Sequence, residues 1–138
     1  MPDRPRYSEV EVGDSGPELE VGPLTRTDFV RYAGASGDFN PMHHDEVFAT
    51  SAGLPSVFGH GMFTAGILSR AVAEWVGVEN VRGCSARFTE RIWPDDVLEV
   101  KITVTGKDDA ERRIEMDCRV ERESKVILSG TASAVLPA

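Results

Sequence analysis

Residues 61–76, GMFTAGILSRAVAEWV, constrain the fold most. Ile67, Leu68, Ala71, Val72, Trp75 and Val76 recur three and four apart, the spacing of one helix face. Met62, Phe63 and Ala65 carry apolar surface further round the circumference, and only Ser69, Arg70 and Glu74 interrupt it. A helix apolar over most of its surface needs cover on most sides, which predicts a buried central helix. The cover follows in the chain. Leu98, Val100, Ile102 and Val104 alternate with Glu99, Lys101 and Thr103, and Ile114, Met116, Cys118 and Val120 alternate with Glu115, Asp117 and Arg119. This period of two belongs to antiparallel strands with one wet face. A polar turn at 106–111 joins the two strands. A tighter one at 121–125 leads to a last strand through Val126, Leu128, Gly130, Ala132 and Ala134. The pattern predicts an α+β fold, an antiparallel sheet wrapped around a long central helix. Such a sheet leaves edges, and pairing with a second copy is the expected cover.

Upstream, residues 7–12 and 19–21 read as short strands separated by a turn. Thr25 and Asp28 have the spacing of a capping box, and Phe29, Val30 and Ala33 supply an apolar face behind it. Gly34 and Gly37 weaken and then end this helix. Residues 45–50 read as another helical turn and 51–59 as loop. At 138 residues, with no repeat or linker-like stretch, the expectation is one domain over 1–138.

Composition removes several classes of function. The formal net charge of −8 opposes a nucleic-acid partner and attachment to an anionic membrane surface. It leaves room for a local basic patch and a small anionic substrate. No apolar run approaches the ~20 residues of a membrane span, and the first ten residues lack the apolar stretch of a secretory signal. Cytoplasmic placement is the expectation. Cys84 and Cys118 lie far apart on predicted strands, in no C-x-x-C, and read as buried or half-buried thiols.

Chemistry concentrates in Ser36-Gly37-Asp38-Phe39-Asn40-Pro41-Met42-His43-His44-Asp45. Gly37 and Pro41 make it a turn, which Asp38 and Asn40 can brace by bonding nearby backbone. A rigid loop holding a carboxylate and an imidazole suits acid–base work, because histidine titrates near neutrality and a carboxylate can orient it or relay a proton. A capped turn with exposed histidines explains the same residues. A metal set of His43, His44, Asp45 and His60 is disfavoured, because adjacent histidines point apart in regular structure. A second cluster, His60-Gly61-Met62-Phe63-Thr64, opens the apolar helix. Free N–H groups there, with no side chain on Gly61, could stabilise charge developing on a substrate oxygen. An ordinary glycine turn is the plainer reading.

Taken together the two clusters are more specific. The run from Tyr32 through Ser36-Gly37-Asp38-Phe39-Asn40-Pro41-Met42-His43, then His60-Gly61-Met62, resembles the MaoC-like family of (R)-specific enoyl-thioester hydratases and (3R)-hydroxyacyl-thioester dehydratases, which adopt the hot-dog fold. Val10 to Asp14 is similar to the family's first strand and turn. Arg87-Phe88 through Trp93-Pro94-Asp95-Asp96 is similar to its strand-turn-strand, with Asp95 where glycine is usual. The chain looks especially like the catalytic subunit of actinobacterial type II fatty-acid dehydratases, which pairs with a related subunit.

The resemblance implies reversible addition or removal of water at the α,β bond of an acyl thioester on CoA or an acyl carrier protein. Asp38 and His43 would be the acid–base pair, Gly61 the oxyanion donor, and Asn40 a brace. Thr64 would be a neighbour able to bond Asp38, or equally a plain helix hydroxyl. Neither metal nor cofactor is implied, and the expected assembly is a homodimer or a heterodimer with a related hot-dog subunit. His60 reads as structural and His44 as solvent-facing. Arg82, Arg87, Arg91, Arg112 and Arg113 are candidates for a basic patch toward the carrier, or simply solvated surface. Two rivals remain: a hot-dog thioesterase, for which the helix offers only Glu74, and a hot-dog subunit that is either binding or regulatory or a catalytic half silent without its partner.

Overall fold

The computed structural model describes residues 3–138, so the reading of the N-terminus falls outside it at Met1 and Pro2. The apolar segment is one helix, α3 (Gly61–Val76). Ala65, Ile67, Leu68, Ala71, Val72 and Val76 are buried along it. Burying each such large side chain stabilises by ~1.5–3 kcal/mol. An interior glycine, here Gly66, costs only about 1 kcal/mol relative to alanine, so packing on the sheet holds the helix. Burial does not extend all round. Gly61, Met62, Gly66, Ser69 and Arg70 face outward, and apart from Met62 these positions are small or polar.

The sheet comprises β1 (Leu19–Val21), β2 (Val81–Cys84), β3 (Arg87–Phe88), β4 (Leu98–Asp108), β5 (Arg113–Arg122) and β6 (Lys125–Val135). The order is β1-β4-β5-β6-β2, every pairing is antiparallel, and β3 also pairs with β6. The alternation predicted for β4 and β5 sets their register: Val100 faces Val120, Ile102 faces Cys118 and Val104 faces Met116, all buried against α3. A wet-outside sheet wrapped on one long helix is the hot-dog arrangement.

Local chemistry accounts for the departures. The β4–β5 turn is shorter than 106–111, because Gly106 sits at a bulge and β4 runs on to Asp108. The β5–β6 turn is tight: Glu123 and Ser124 take φ of 49° and 66°, as a two-residue hairpin turn requires. Asp95, at the glycine-like position, takes φ 72°, a region aspartate tolerates. Residues 7–12 do not form a strand. Tyr7–Glu9 is a 3-10 turn, held by the Glu9 carboxylate on the Arg6 N–H and by the Tyr7 hydroxyl on Asp109 at 2.6 Å. Cys118 is buried, which pushes its thiol up to about 12, but Cys84 is exposed, because β2 is an edge strand. No helix among the described residues is long and apolar enough to cross a membrane.

Candidate active site

Helix α1 (Arg26–Ser36) starts in the predicted capping box of Thr25 and Asp28 and ends at Gly37, whose φ of 77° lets the chain reverse. The next residues brace themselves. Ser36 Oγ accepts from the Asp38 N–H at 3.2 Å, Asp38 Oδ1 from the Asn40 N–H at 3.2 Å, and Asn40 Oδ1 from the Met42 N–H at 3.1 Å. Asn40 thereby caps the short 3-10 turn Pro41–His43, and Asp45 caps α2 (Glu46–Ser51). This rigid loop presents His43 inward, Asp38 to a cavity and His44 to solvent.

His43 is buried. Its Nδ1 lies 2.7 Å from the Phe58 carbonyl oxygen. A carbonyl only accepts, so Nδ1 donates and Nε2 keeps the lone pair in the neutral ring. The ring meets Phe58 edge-on at 4.9 Å and stacks on His60 at 3.8 Å and 29°. Burial holds the His43 pKa below the usual histidine value. The Phe58 hydrogen bond opposes this, nearby His60 adds to it, and Asp38 and His44 push in opposite senses.

His60 is more central than the sequence indicated. It is 2% exposed, donates from Nε2 to the Asp38 carbonyl at 3.0 Å, and packs against Tyr32 of α1 at 4.8 Å. Its Nδ1 is buried with no partner among the described residues. The ring ties the Asp38 loop, His43 and the start of α3 into one block. The available signal was its place at the helix entrance, next to Gly61.

An Asp38 carboxylate oxygen, a His43 ring nitrogen and a His60 ring nitrogen lie within 4.8 Å of one another. The rings stack at 29° from parallel, and each commits one nitrogen to a backbone carbonyl, which leaves His43 Nε2 and His60 Nδ1 with their lone pairs. That donor set can exchange protons through His43 Nε2 and the Asp38 carboxylate. His44 and Asp45 are not part of it. The three side chains open on a cavity of about 410 Å³ that Gly61 also lines. His60 gives α3 no side-chain cap, so the first N–H groups of the helix stand free at that wall.

A neighbouring cavity of about 330 Å³ is lined by Phe58, Gly59, Gly61, Thr64, Phe88, Ile92, Ile127 and Leu128, with Thr89, Glu90 and Arg91 also on its wall. Thr64 belongs here and makes no hydrogen bond to Asp38. One turn into α3 it is buried toward the sheet, while Asp38 lies at the other side of Gly61. The five arginines do not form one patch. Arg91 sits 5.0 Å over the Phe58 ring near Arg122, at the Lys125 end of β6. Arg113 pairs with Glu111 at the Val135 end, and Arg82 binds the Glu79 and Val81 carbonyls.

The chain is similar to several known proteins. A 3-hydroxyacyl-thioester dehydratase Y of Mycobacterium tuberculosis is 33% identical over 128 residues, covering 81% of this chain and 44% of the relative. The chain therefore spans less than half the length of that relative. A 3-hydroxybutyryl-CoA dehydratase of Methylorubrum extorquens is 27% identical over 133 residues, covering 95% of this chain and 83% of the relative. The unliganded R-hydratase PhaJ1 structure from Pseudomonas aeruginosa superposes with a TM-score of 0.87 at 30% identity, covering 96% of this chain and 85% of that one. Residues 13–126 match the family model described as MaoC like domain, and the chain belongs to that family.

Proposed function

We propose that this chain is an (R)-specific enoyl-thioester hydratase, or (3R)-hydroxyacyl-thioester dehydratase in the reverse sense, acting as one domain over residues 1–138 in the cytoplasm. One observation carries the reading: the Asp38 carboxylate, the His43 ring and the uncapped start of α3 at Gly61 face a single cavity. The thioester carbonyl accepts from the Gly61 N–H, which stabilises enolate-like charge as the α-proton leaves. Asp38 and His43 act as a coupled pair. In dehydration they take the proton from Cα and deliver one to the departing β-hydroxyl, so that water leaves. In hydration water adds its oxygen to Cβ and a proton returns to Cα. The depressed His43 pKa supports this, since a neutral ring with a free Nε2 can exchange a proton with water at neutral pH.

The substrate is an acyl-CoA or an acyl carrier protein thioester. The assembly is a dimer through the free edge of β2, where Arg82, Gly83 and Cys84 are exposed, with a second copy or a related hot-dog subunit. Purified chain should consume the enoyl absorbance of crotonyl-CoA. Asp38→Asn and His43→Gln should each slow turnover by at least ~100-fold with little change in thermal unfolding. Near-normal rates in both variants refute the proposal. The exposed β2 edge favours one second reading, a subunit active only with its partner. A monomeric mass with no turnover, restored by a related subunit, identifies that case.

A further inference from the structure

The two cavities meet at one place. Gly61 and Phe88 line both, and among the described residues no other side chain does. Asp38, His43 and His60 face the first cavity, and Thr64, Ile92, Ile127 and Leu128 line the second. The Phe88 ring lies against Gly61 so closely that a Cβ on that glycine would stand 3.1 Å from Cδ1 and 3.2 Å from Cε1. Gly61 is therefore a seat for the ring as well as the start of the helix. The Phe88 backbone is pinned by β3, where it pairs with Leu128 of β6. Phe88 is 50% exposed in the single chain, so the backbone is fixed while the ring keeps an open side into which it can turn.

We propose that Phe88 is a specificity-determining partition. Seated on Gly61, its ring separates the cavity of the acid–base pair from the cavity walled by Ile92, Ile127 and Leu128, and a long acyl chain enters that second cavity only by displacing it. The inference rests on the hydratase reading above and names the feature of the substrate to which this chain responds. With Cα and Cβ at Asp38 and His43, a crotonyl group extends one carbon beyond the reacting bond and needs no second cavity. An octenoyl group extends five carbons beyond it and meets the ring. The apolar walls at Ile92, Ile127 and Leu128 then repay the displacement by burying the chain. Chain length is thus discriminated by the cost of moving one half-buried ring.

The test is kcat/KM for crotonyl-CoA and trans-2-octenoyl-CoA with wild type, Phe88→Ala, Phe88→Leu and Phe88→Trp, each checked by thermal unfolding. In wild type the half-buried ring loses its contact each time a long chain enters. Removing that loss should raise the octenoyl-to-crotonyl ratio roughly tenfold in Phe88→Ala. The Phe88→Leu ratio should lie between wild type and Phe88→Ala, and the larger indole of Phe88→Trp should lower it. If Phe88→Ala does not fold, the Leu and Trp variants decide by their opposite directions. Ratios within twofold of wild type in all folded variants overturn the partition while leaving the hydratase reading intact. A wild-type chain in its native assembly that hydrates neither substrate overturns both.

Discussion

Replacing His60 by phenylalanine removes its hydrogen bond to the Asp38 carbonyl, together with the unpartnered Nδ1, while keeping an aromatic ring in place. The new ring keeps the stack on His43 at 3.8 Å and the packing on Tyr32 at 4.8 Å, but has no donor for the Asp38 carbonyl 3.0 Å away. A carbonyl left without its partner costs ~1–3 kcal/mol when buried. Asp38 is exposed, so water can replace the donor and the low end applies, about 1 kcal/mol. His60→Ala removes the ring as well. Deleting a buried aromatic costs about 3–5 kcal/mol and imidazole is smaller than benzene, which puts this variant at roughly 3–5 kcal/mol with the lost bond included. For a chain of this size 1 kcal/mol moves Tm by about 3–4 °C. The Phe variant should melt about 3–4 °C below wild type and the Ala variant roughly 9–20 °C below. Activity should separate from stability. Freed from His60, the Asp38 backbone shifts, and ~1 Å of misplacement at a reacting group costs on the order of 100-fold in rate. Scanning calorimetry and single-substrate kinetics on His60→Phe therefore give a small melting change with a large loss of kcat. His60→Gln, whose amide N–H can reach the same carbonyl, should recover part of that rate. A His60→Phe enzyme within threefold of wild-type kcat refutes the clamp.

Two further perturbations test the packing and the titration of the same block. A methyl group on Gly59 would stand 2.4 Å from Ile92 Cδ1 and 2.8 Å from Phe29 Cε1, so Gly59→Ala should cost ~1–3 kcal/mol in urea unfolding by overpacking the core behind the site. The depressed His43 pKa fixes a sign: its contribution to stability is complete above the ordinary histidine pKa of about 6.5 and is lost as pH falls through the folded value. Urea midpoints measured below and above neutrality should fall on the acid side, and His43→Gln should flatten that fall. The acid limb of kcat/KM, which reports the neutral His43 ring, should have its midpoint below the ordinary histidine value.

The parts of this molecule legible in the sequence are those governed by local chemistry or by period. Thr25 and Asp28 cap α1 because the box needs only a hydroxyl and a carboxylate three residues apart. β4 and β5 were legible because strict alternation permits one inward face and hence one register. Residues 7–12 misled because Glu9 folds back on the Arg6 N–H, a bond that alternation does not encode. Thr64 misled for a different reason. Its distance along the chain from Gly61 was readable, but the side of α3 it occupies depends on how the helix sits on the sheet. The contact of His60 is not legible in the sequence because it is tertiary: the carbonyl it binds is 22 residues upstream.

The location of the carboxylates also separates hydration from thioester hydrolysis. A hydrolase built on this fold would need an acid or base on or near α3, facing the thioester carbonyl. The only carboxylate on α3 is Glu74, near its far end, exposed and paired with Arg70 at 2.7 Å. Asp38 instead stands on the loop after α1 and lines the same cavity as Gly61. On the proposed reading, a carbonyl bound at Gly61 has its oxygen on the helix end and its α and β carbons toward Asp38 and His43. Proton movement at those carbons is what the pair can perform, and attack at the carbonyl carbon has no base on the helix to drive it. Release of free thiol from crotonyl-CoA at a rate matching loss of the enoyl chromophore would reverse this assignment, because hydration leaves the thioester intact.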